Sequence, residues 1–120
     1  MAKILVADDS KTVRSMVRTM LERIQHEVVG EASNGLEAYD KYVSEKPDIV
    51  ILDITMPVLD GISAIKKIKE YDKTAKIILC TSNANKKKLN EAHKMGVTSI
   101  LLKPTNAEQL DKMIEITLGN

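Results

Sequence analysis

The stretch that decides the reading is Lys3–Ser10, KILVADDS. Four apolar residues, Ile4 to Ala7, run directly into two adjacent carboxylates, Asp8 and Asp9. A buried strand is an unfavourable place to end on two like charges. At about 4 Å, in an effective dielectric near 20, such a pair costs roughly 4 kcal/mol. Something elsewhere in the chain has to offset that repulsion.

Four further runs resemble the first: Glu27–Ala32 (EVVGEA), Asp48–Asp53 (DIVILD), Lys76–Thr81 (KIILCT) and Thr98–Lys103 (TSILLK). They are rich in Ile and Val and bounded by polar or turn residues, as buried strands are. Successive runs start 24, 21, 28 and 22 residues apart, and each interval holds one strand and one helix. Val13, Met16, Val17, Met20, Leu21 and Ile24 follow the i, i+3, i+4 spacing of an amphipathic helix. Ile62, Ile65 and Ile68 form a second such stripe after Gly61. Ala107, Leu110, Met113, Ile114, Thr117 and Leu118 form another near the end. Leu36, Tyr39 and Val43 predict a shorter helix. Leu89, Ala92 and Met95 anchor the weakest one, which Gly96 ends. The methionines read mostly as core on these stripes. Strict βα alternation argues for a parallel sheet covered by helices on both faces, and five units are too few for an eight-fold barrel.

Composition fits one domain over residues 1–120. Apolar residues are 43% and charged residues 29%, as in a globular chain. With no Phe or Trp, the core has to come from Ile, Leu, Val, Met and Ala. A formal net charge of +1 gives no general case for nucleic acid. The single cysteine, Cys80, can form neither an internal disulfide nor a cysteine metal site, and it reads as a small buried apolar residue. No apolar run approaches signal-peptide or membrane-spanning length, so the expected compartment is the cytoplasm, without membrane attachment.

In an open parallel sheet, function gathers at the carboxyl ends of the strands. Asp8 and Asp9 stand there on the first run, Asp53 on the third, Thr81 and Ser82 on the fourth, Lys103 and Pro104 on the fifth. Each has an ordinary reading alone: a solvated helix start, a turn former, a β-branched strand residue, a snorkelling lysine, a strand terminator. Three carboxylates, a hydroxyl and an ammonium at one edge are harder to attribute to chance. Asp8, Asp9 and Asp53 form an all-oxygen donor set suited to Mg²⁺ or Mn²⁺ rather than zinc. His26 and His93 lie outside this set and read as surface or loop histidines. Lys86, Lys87 and Lys88 read as solvated surface or as a partner-docking patch.

With DD after the first strand, DITMPVLDG at the third, TS at the fourth and KP at the fifth, the chain from about Lys3 to Leu118 resembles the receiver domain of bacterial two-component response regulators. The resemblance implies a flavodoxin-like doubly wound sheet in the order 2-1-3-4-5, known for chemotaxis members of that family. It also implies Asp53 as phosphoacceptor, Asp9, Asp53 and the Thr55 main-chain carbonyl as Mg²⁺ ligands with Asp8 acting through water, and Thr81 and Lys103 as partners of the phosphoryl oxygens. Thr55 and Asn83 would flank the attacking water, and Lys103–Pro104 would be a cis peptide. Where many relatives have an aromatic switch residue, this chain has Ile100; where many have Phe after the Lys-Pro pair, it has Thr105.

The implied protein is a stand-alone, monomeric phospho-accepting regulator rather than a turnover enzyme. Its implied partners are a histidine kinase or histidine phosphotransfer protein and a downstream target, met through the fourth helix, fifth strand and fifth helix. A phosphorelay intermediate is the nearest alternative. A flavin module would need a Ser/Thr/Gly-rich loop where DDSKT stands, and a haloacid-dehalogenase-like phosphatase would need Asp-x-Asp where DIT stands.

Overall fold

The computed structural model describes residues 1–82 and 85–119. Ten elements alternate: β1 (Lys3–Ala7), α1 (Lys11–Arg23), β2 (Glu27–Ala32), α2 (Gly35–Glu45), β3 (Ile49–Leu52), α3 (Gly61–Tyr71), β4 (Ile77–Thr81), α4 (Lys86–Lys94), β5 (Ser99–Leu102) and α5 (Ala107–Gly119). The five strands form one parallel sheet in the order β2-β1-β3-β4-β5. The strands fall inside the expected runs, but β1, β3 and β5 stop short of Asp8, Asp53 and Lys103. Those residues lie just past the strands, where ladder-like backbone hydrogen bonds still hold them at the sheet edge.

Helices cover both faces, so the apolar residues divide by strand parity. Leu5, Val50, Leu52, Ile77 and Leu79 pack with Ala38, Tyr42, Ala64, Ile65, Ile68 and Ala92 of α2, α3 and α4. Ile4, Val6, Ile49, Ile51, Ile78 and Cys80 pack with Val17 and Leu21 of α1 and Leu110 and Ile114 of α5. Helix starts carry side-chain caps: Ser10, Asn34, Asp60 and Asn85 each accept a hydrogen bond from the backbone N–H three residues on. No helix among the described residues is long and apolar enough to cross a membrane.

Three helical stripes differ from the sequence expectation; in α5 the outlier is Leu118, which is 44% exposed. In α2 the buried residues are Gly35, Ala38 and Tyr42, whereas Leu36 is 43% exposed and Tyr39 and Val43 are half-buried. The helix also has 11 residues, as many as α3, so it is not a shorter one. Small residues face the sheet here because Gly35 sits hard against the loop before α3; a Cβ on it would lie 2.1 Å from the Leu59 carbonyl oxygen. In α1, Met16 is 51% exposed and thus not core. The weak anchoring expected for α4 is present: only Ala92 is buried, with Leu89 and Met95 half-buried.

All three tyrosines meet between α2 and α3. Tyr71 packs edge-on against Tyr39 and Tyr42 with centroids 6.4 Å apart in each pair. The Tyr42 hydroxyl donates to Asp72 Oδ2 at 2.8 Å. That bond, with those from Thr74, holds the Asp72 carboxyl below its usual range.

The contact that fixes the third strand's end is at Gly61. Its N–H donates to the Ile54 carbonyl at 2.7 Å, and a Cβ there would lie 2.1 Å from the Asp53 carbonyl oxygen. Real Cβ atoms do not approach backbone so closely, so any side chain at 61 has to push Asp53 away. Gly61→Ala is expected to lower unfolding free energy by about 1–3 kcal/mol, the usual range for overpacking. Gly30→Ala, whose Cβ would meet the flexible end of Leu5 at 3.3 Å, is expected to cost less. Urea denaturation of the two variants against the parent checks this order.

Candidate functional site

The edge beyond the carboxyl ends of β1, β3, β4 and β5 holds the residues singled out from the sequence. Asp8 and Asp53 are set by extensions of the sheet's own hydrogen bonding. The Asp8 N–H donates to the Ala32 carbonyl at 2.9 Å, and the Asp53 N–H to the Ala7 carbonyl at 3.1 Å. Their positions therefore follow the strand register rather than loop freedom. Both are buried, with 4% and 7% exposure, while Asp9 is exposed. Carboxylate oxygens of Asp8, Asp9 and Asp53 lie within 4.8 Å of one another.

The Lys103 ammonium stands between two of these acids. It donates to Asp8 Oδ2 and, at 3.1 Å, to Asp53 Oδ2. Burial alone would lower the lysine's pKa, but the hydrogen bonds and charges of Asp8 and Asp53 outweigh it and hold the pKa above its ordinary value. The remaining oxygens are used locally. Asp8 Oδ1 accepts from the Ser10 N–H at 2.9 Å, and Asp53 Oδ1 accepts from the Thr55 N–H at 3.3 Å. Asp9 has no hydrogen bond or ion pair among the described residues, which leaves its oxygens available for a cation. A set of three clustered carboxylates without His or Cys suits a hard, oxygen-seeking divalent ion, so the residues fit Mg²⁺.

Thr81 ends β4, only 1% exposed, and its carbonyl accepts the Lys103 N–H at 2.8 Å. That bond ties the fourth and fifth strand ends together. The Lys103–Pro104 peptide is cis. Ile100 lies on β5 beside Leu79, half-buried, and packs on the core shared with Leu89 and Met95 of α4. Thr55 is exposed on the loop after β3. Asn83 lies outside the described residues. Cys80 is buried, as expected, and burial pushes its thiol up to about 11.

The loop after Asp53 is tightly folded. The Leu59 N–H donates to the Pro57 carbonyl at 2.7 Å across Val58, whose φ is 67°. A β-branched residue in that region is a strained outlier. Asp60 and Gly61 then close the loop onto α3.

Some supporting residues were not evident from sequence. Arg14 Nη1 donates to the Asp8 carbonyl at 2.6 Å, and Arg14 and Arg18 both pair with Glu31 at 3.1 and 2.8 Å. The arginines fall off the apolar stripe of α1, which marks them only as solvent-side. Their partner is on β2, and nothing in linear spacing links the two. His26 is also more than a surface group: its Nδ1 accepts the Ala2 N–H at 3.0 Å, and its side chain is 12% exposed. His93 is exposed.

An open parallel sheet in the order β2-β1-β3-β4-β5, with acids just past β1 and β3 and a lysine just past β5 at one edge, defines a flavodoxin-like α/β fold. The family model for the response regulator receiver domain matches residues 4–115, and the chain belongs to that family, hence to the proteins of two-component signalling. The chemotaxis protein CheY of Listeria monocytogenes is 40% identical over 115 residues, covering 96% of this chain and 97% of the relative. Among solved structures, chemotaxis protein CheY4 of Vibrio cholerae superposes with a TM-score of 0.90 at 34% identity, covering 98% of this chain and 99% of that one. The CheX–CheY–BeF3–Mg²⁺ complex of Borrelia burgdorferi also matches, with a TM-score of 0.90 at 27% identity over 95% of this chain and 87% of that one.

Removing the lysine would leave Asp8 and Asp53 facing each other without their shared cation. Lys103→Ala, measured by urea denaturation without divalent ions, is expected to lose about 1–3 kcal/mol, the penalty for stripping a buried group of its partner. Lys88→Ala, on the outer part of α4, is expected to stay within about 0.5 kcal/mol of the parent.

Proposed function

We propose that this chain accepts a phosphoryl group on Asp53 from the phosphohistidine of a kinase or histidine phosphotransfer protein, and signals through phosphorylation-dependent contact with a target. The observation that carries the reading is the Lys103 ammonium held between Asp8 and Asp53 at the sheet edge. The pair of buried acids fixes the ammonium beside the acceptor carboxylate, where its positive charge can offset that of an incoming anionic phosphoryl group.

The step is a transfer in which the donor's P–N bond breaks and a bond forms from phosphorus to an Asp53 carboxylate oxygen. Charge on the transferred group is spread over its equatorial oxygens, and the protein's task is to position and neutralise it. Lys103 supplies a fixed positive charge beside the acceptor, and the hydroxyl of Thr81 supplies a donor at the neighbouring strand end. The backbone ladder that holds Asp53 keeps the acceptor in place without reorganisation. Asp8, Asp9 and Asp53, with the Thr55 main-chain carbonyl, would hold Mg²⁺; when bound, such an ion offsets the carboxylates' mutual repulsion and the charge of the incoming group. One solved relative is described in complex with BeF3, Mg²⁺ and a partner protein, which supports Mg²⁺ as the ion and protein contact as the output.

Output through the face of α4, β5 and α5 fits the light anchoring of α4. Ile100 is stiff at χ1 and shorter than an aromatic residue. Transmission by displacement of α4 therefore suits this chain better than rotation of an aromatic side chain.

Incubation with a small phosphodonor and Mg²⁺ is expected to add one phosphate of about 80 Da, stable in acid and lost in base. Asp53→Asn is expected to abolish it, as read by intact-mass spectrometry. Incorporation that survives in the variant would place the acceptor elsewhere.

Mg²⁺ binding to the folded form is expected to raise the melting temperature, since a ligand at a hundredfold excess over Kd adds about 2.7 kcal/mol. Asp9→Ala, which removes the exposed carboxylate, is expected to abolish most of that rise. Equal responses of the parent and Asp9→Ala would mean that the ion sits at another site.

A further inference from the structure

The edge strand β2 supplies no carboxylate to the acidic cluster, yet it holds Asp8 at both of its backbone groups. The Ala32 carbonyl accepts the Asp8 N–H at 2.9 Å. One residue earlier on the same strand, Glu31 Oε1 accepts Arg14 Nε at 3.1 Å, and Arg14 Nη1 donates to the Asp8 carbonyl at 2.6 Å. A single rigid fork thus bridges α1, β2 and the turn after β1. Arg18 closes the other side, its Nε donating to Glu31 Oε2 at 2.8 Å. Burial alone would raise the pKa of Glu31, but its hydrogen bonds with Arg18 and Arg14 outweigh it and hold the carboxyl below its usual range. The anchor of the fork is therefore charged at neutral pH.

What the fork grips is the peptide between Asp8 and Asp9. Asp9 is exposed, so packing does little to fix it. Its carboxylate nonetheless stays with those of Asp8 and Asp53, oxygens within 4.8 Å of one another, against their mutual repulsion. The peptide that follows Asp9 is held by the Ser10 N–H, which donates to Asp8 Oδ1 at 2.9 Å. The peptide that precedes it is held, among the described residues, by Arg14 alone. We infer that Arg14, anchored on Glu31, is a positioning residue for Asp9: by fixing the Asp8–Asp9 peptide it presents the Asp9 carboxylate to the divalent ion. The inference rests on the Mg²⁺ reading of this edge. Charge and contact act in opposite directions here, which makes the role separable. As a cation near the cluster, Arg14 repels a divalent ion, so charge alone makes Mg²⁺ bind more tightly once the guanidinium is removed. Loss of positioning makes it bind more weakly.

The test is a calorimetric titration of the full chain with Mg²⁺, well below the melting temperature, paired with ¹⁵N relaxation of the metal-free protein in chelator. Arg14→Met is expected to weaken Mg²⁺ binding by about tenfold, as loss of a group that orients a metal ligand does. In chelator, the same variant is expected to lower the order of the Asp9 amide. Lys11→Met removes an exposed cation from the first turn of the same helix, and it is expected not to weaken binding. Arg14→Lys keeps the charge but replaces the fork with one flexible ammonium, and its affinity is expected between those of the parent and Arg14→Met. Should Arg14→Met fail to fold, Arg14→Lys carries the test, with weaker binding than the parent expected. Parental or tighter Mg²⁺ binding in the folded Arg14 variants, an unchanged Asp9 amide in chelator, or an equal loss in Lys11→Met would overturn the inference. A parent that binds no Mg²⁺, or binds it equally after Asp9→Ala, would overturn the metal reading and this inference with it.

Discussion

Two carboxylates and one ammonium, drawn from the ends of three strands, constrain the whole molecule. Lys103 lies 95 residues from Asp8 and 50 from Asp53, yet its Nζ reaches both. For that to happen β1 and β3 have to be neighbours, β4 has to lie between β3 and β5, and each strand has to stop within a residue of where it does. A slip of one residue in any strand would turn its core side chains to the other face and carry its functional group away from the edge. The repulsion posed by Asp8 and Asp9 at the start of the chain is thus offset in part from its far end. The exposed Asp9 carries the remainder into solvent or onto a cation.

The fold was legible because the signals that mark it are short-range and redundant. Five Ile/Val-rich runs at near-regular spacing leave little room for another architecture. The caps Ser10, Asn34, Asp60 and Asn85 agree with that spacing. The site was legible for a related reason: strand ends are readable, and in a parallel sheet they share an edge. What linear spacing could not give is which groups across that edge touch. The contact of Lys103 with Asp8 as well as Asp53, and the support of Asp8 by Arg14, depend on tertiary distances alone.

The misread stripe of α2 has a specific cause. Periodicity locates large apolar residues, whereas a close approach to a loop admits only a glycine at the first turn of α2. At Gly35 the Leu59 carbonyl occupies the space a side chain would need, and Ala38 and Tyr42 complete the buried face while Leu36 is exposed. Met16 illustrates the converse: it keeps the right period yet lies at the margin of the stripe, where burial depends on how far α1 tilts over the sheet. Size and period are separate signals, and only the second was read.

The gathering of Tyr39, Tyr42 and Tyr71 at the junction of α2 and α3 has an optical consequence. The chain has no Trp, so these three rings are its only strong source of intrinsic ultraviolet fluorescence. With centroids 6.4 Å apart in each pair, excitation passes readily among them, and they emit as one unit. The signal therefore reports on a single corner of the molecule, on the side of the sheet away from α1 and α5. It records whether α2 and α3 remain docked, while a rearrangement limited to α5 leaves it dark.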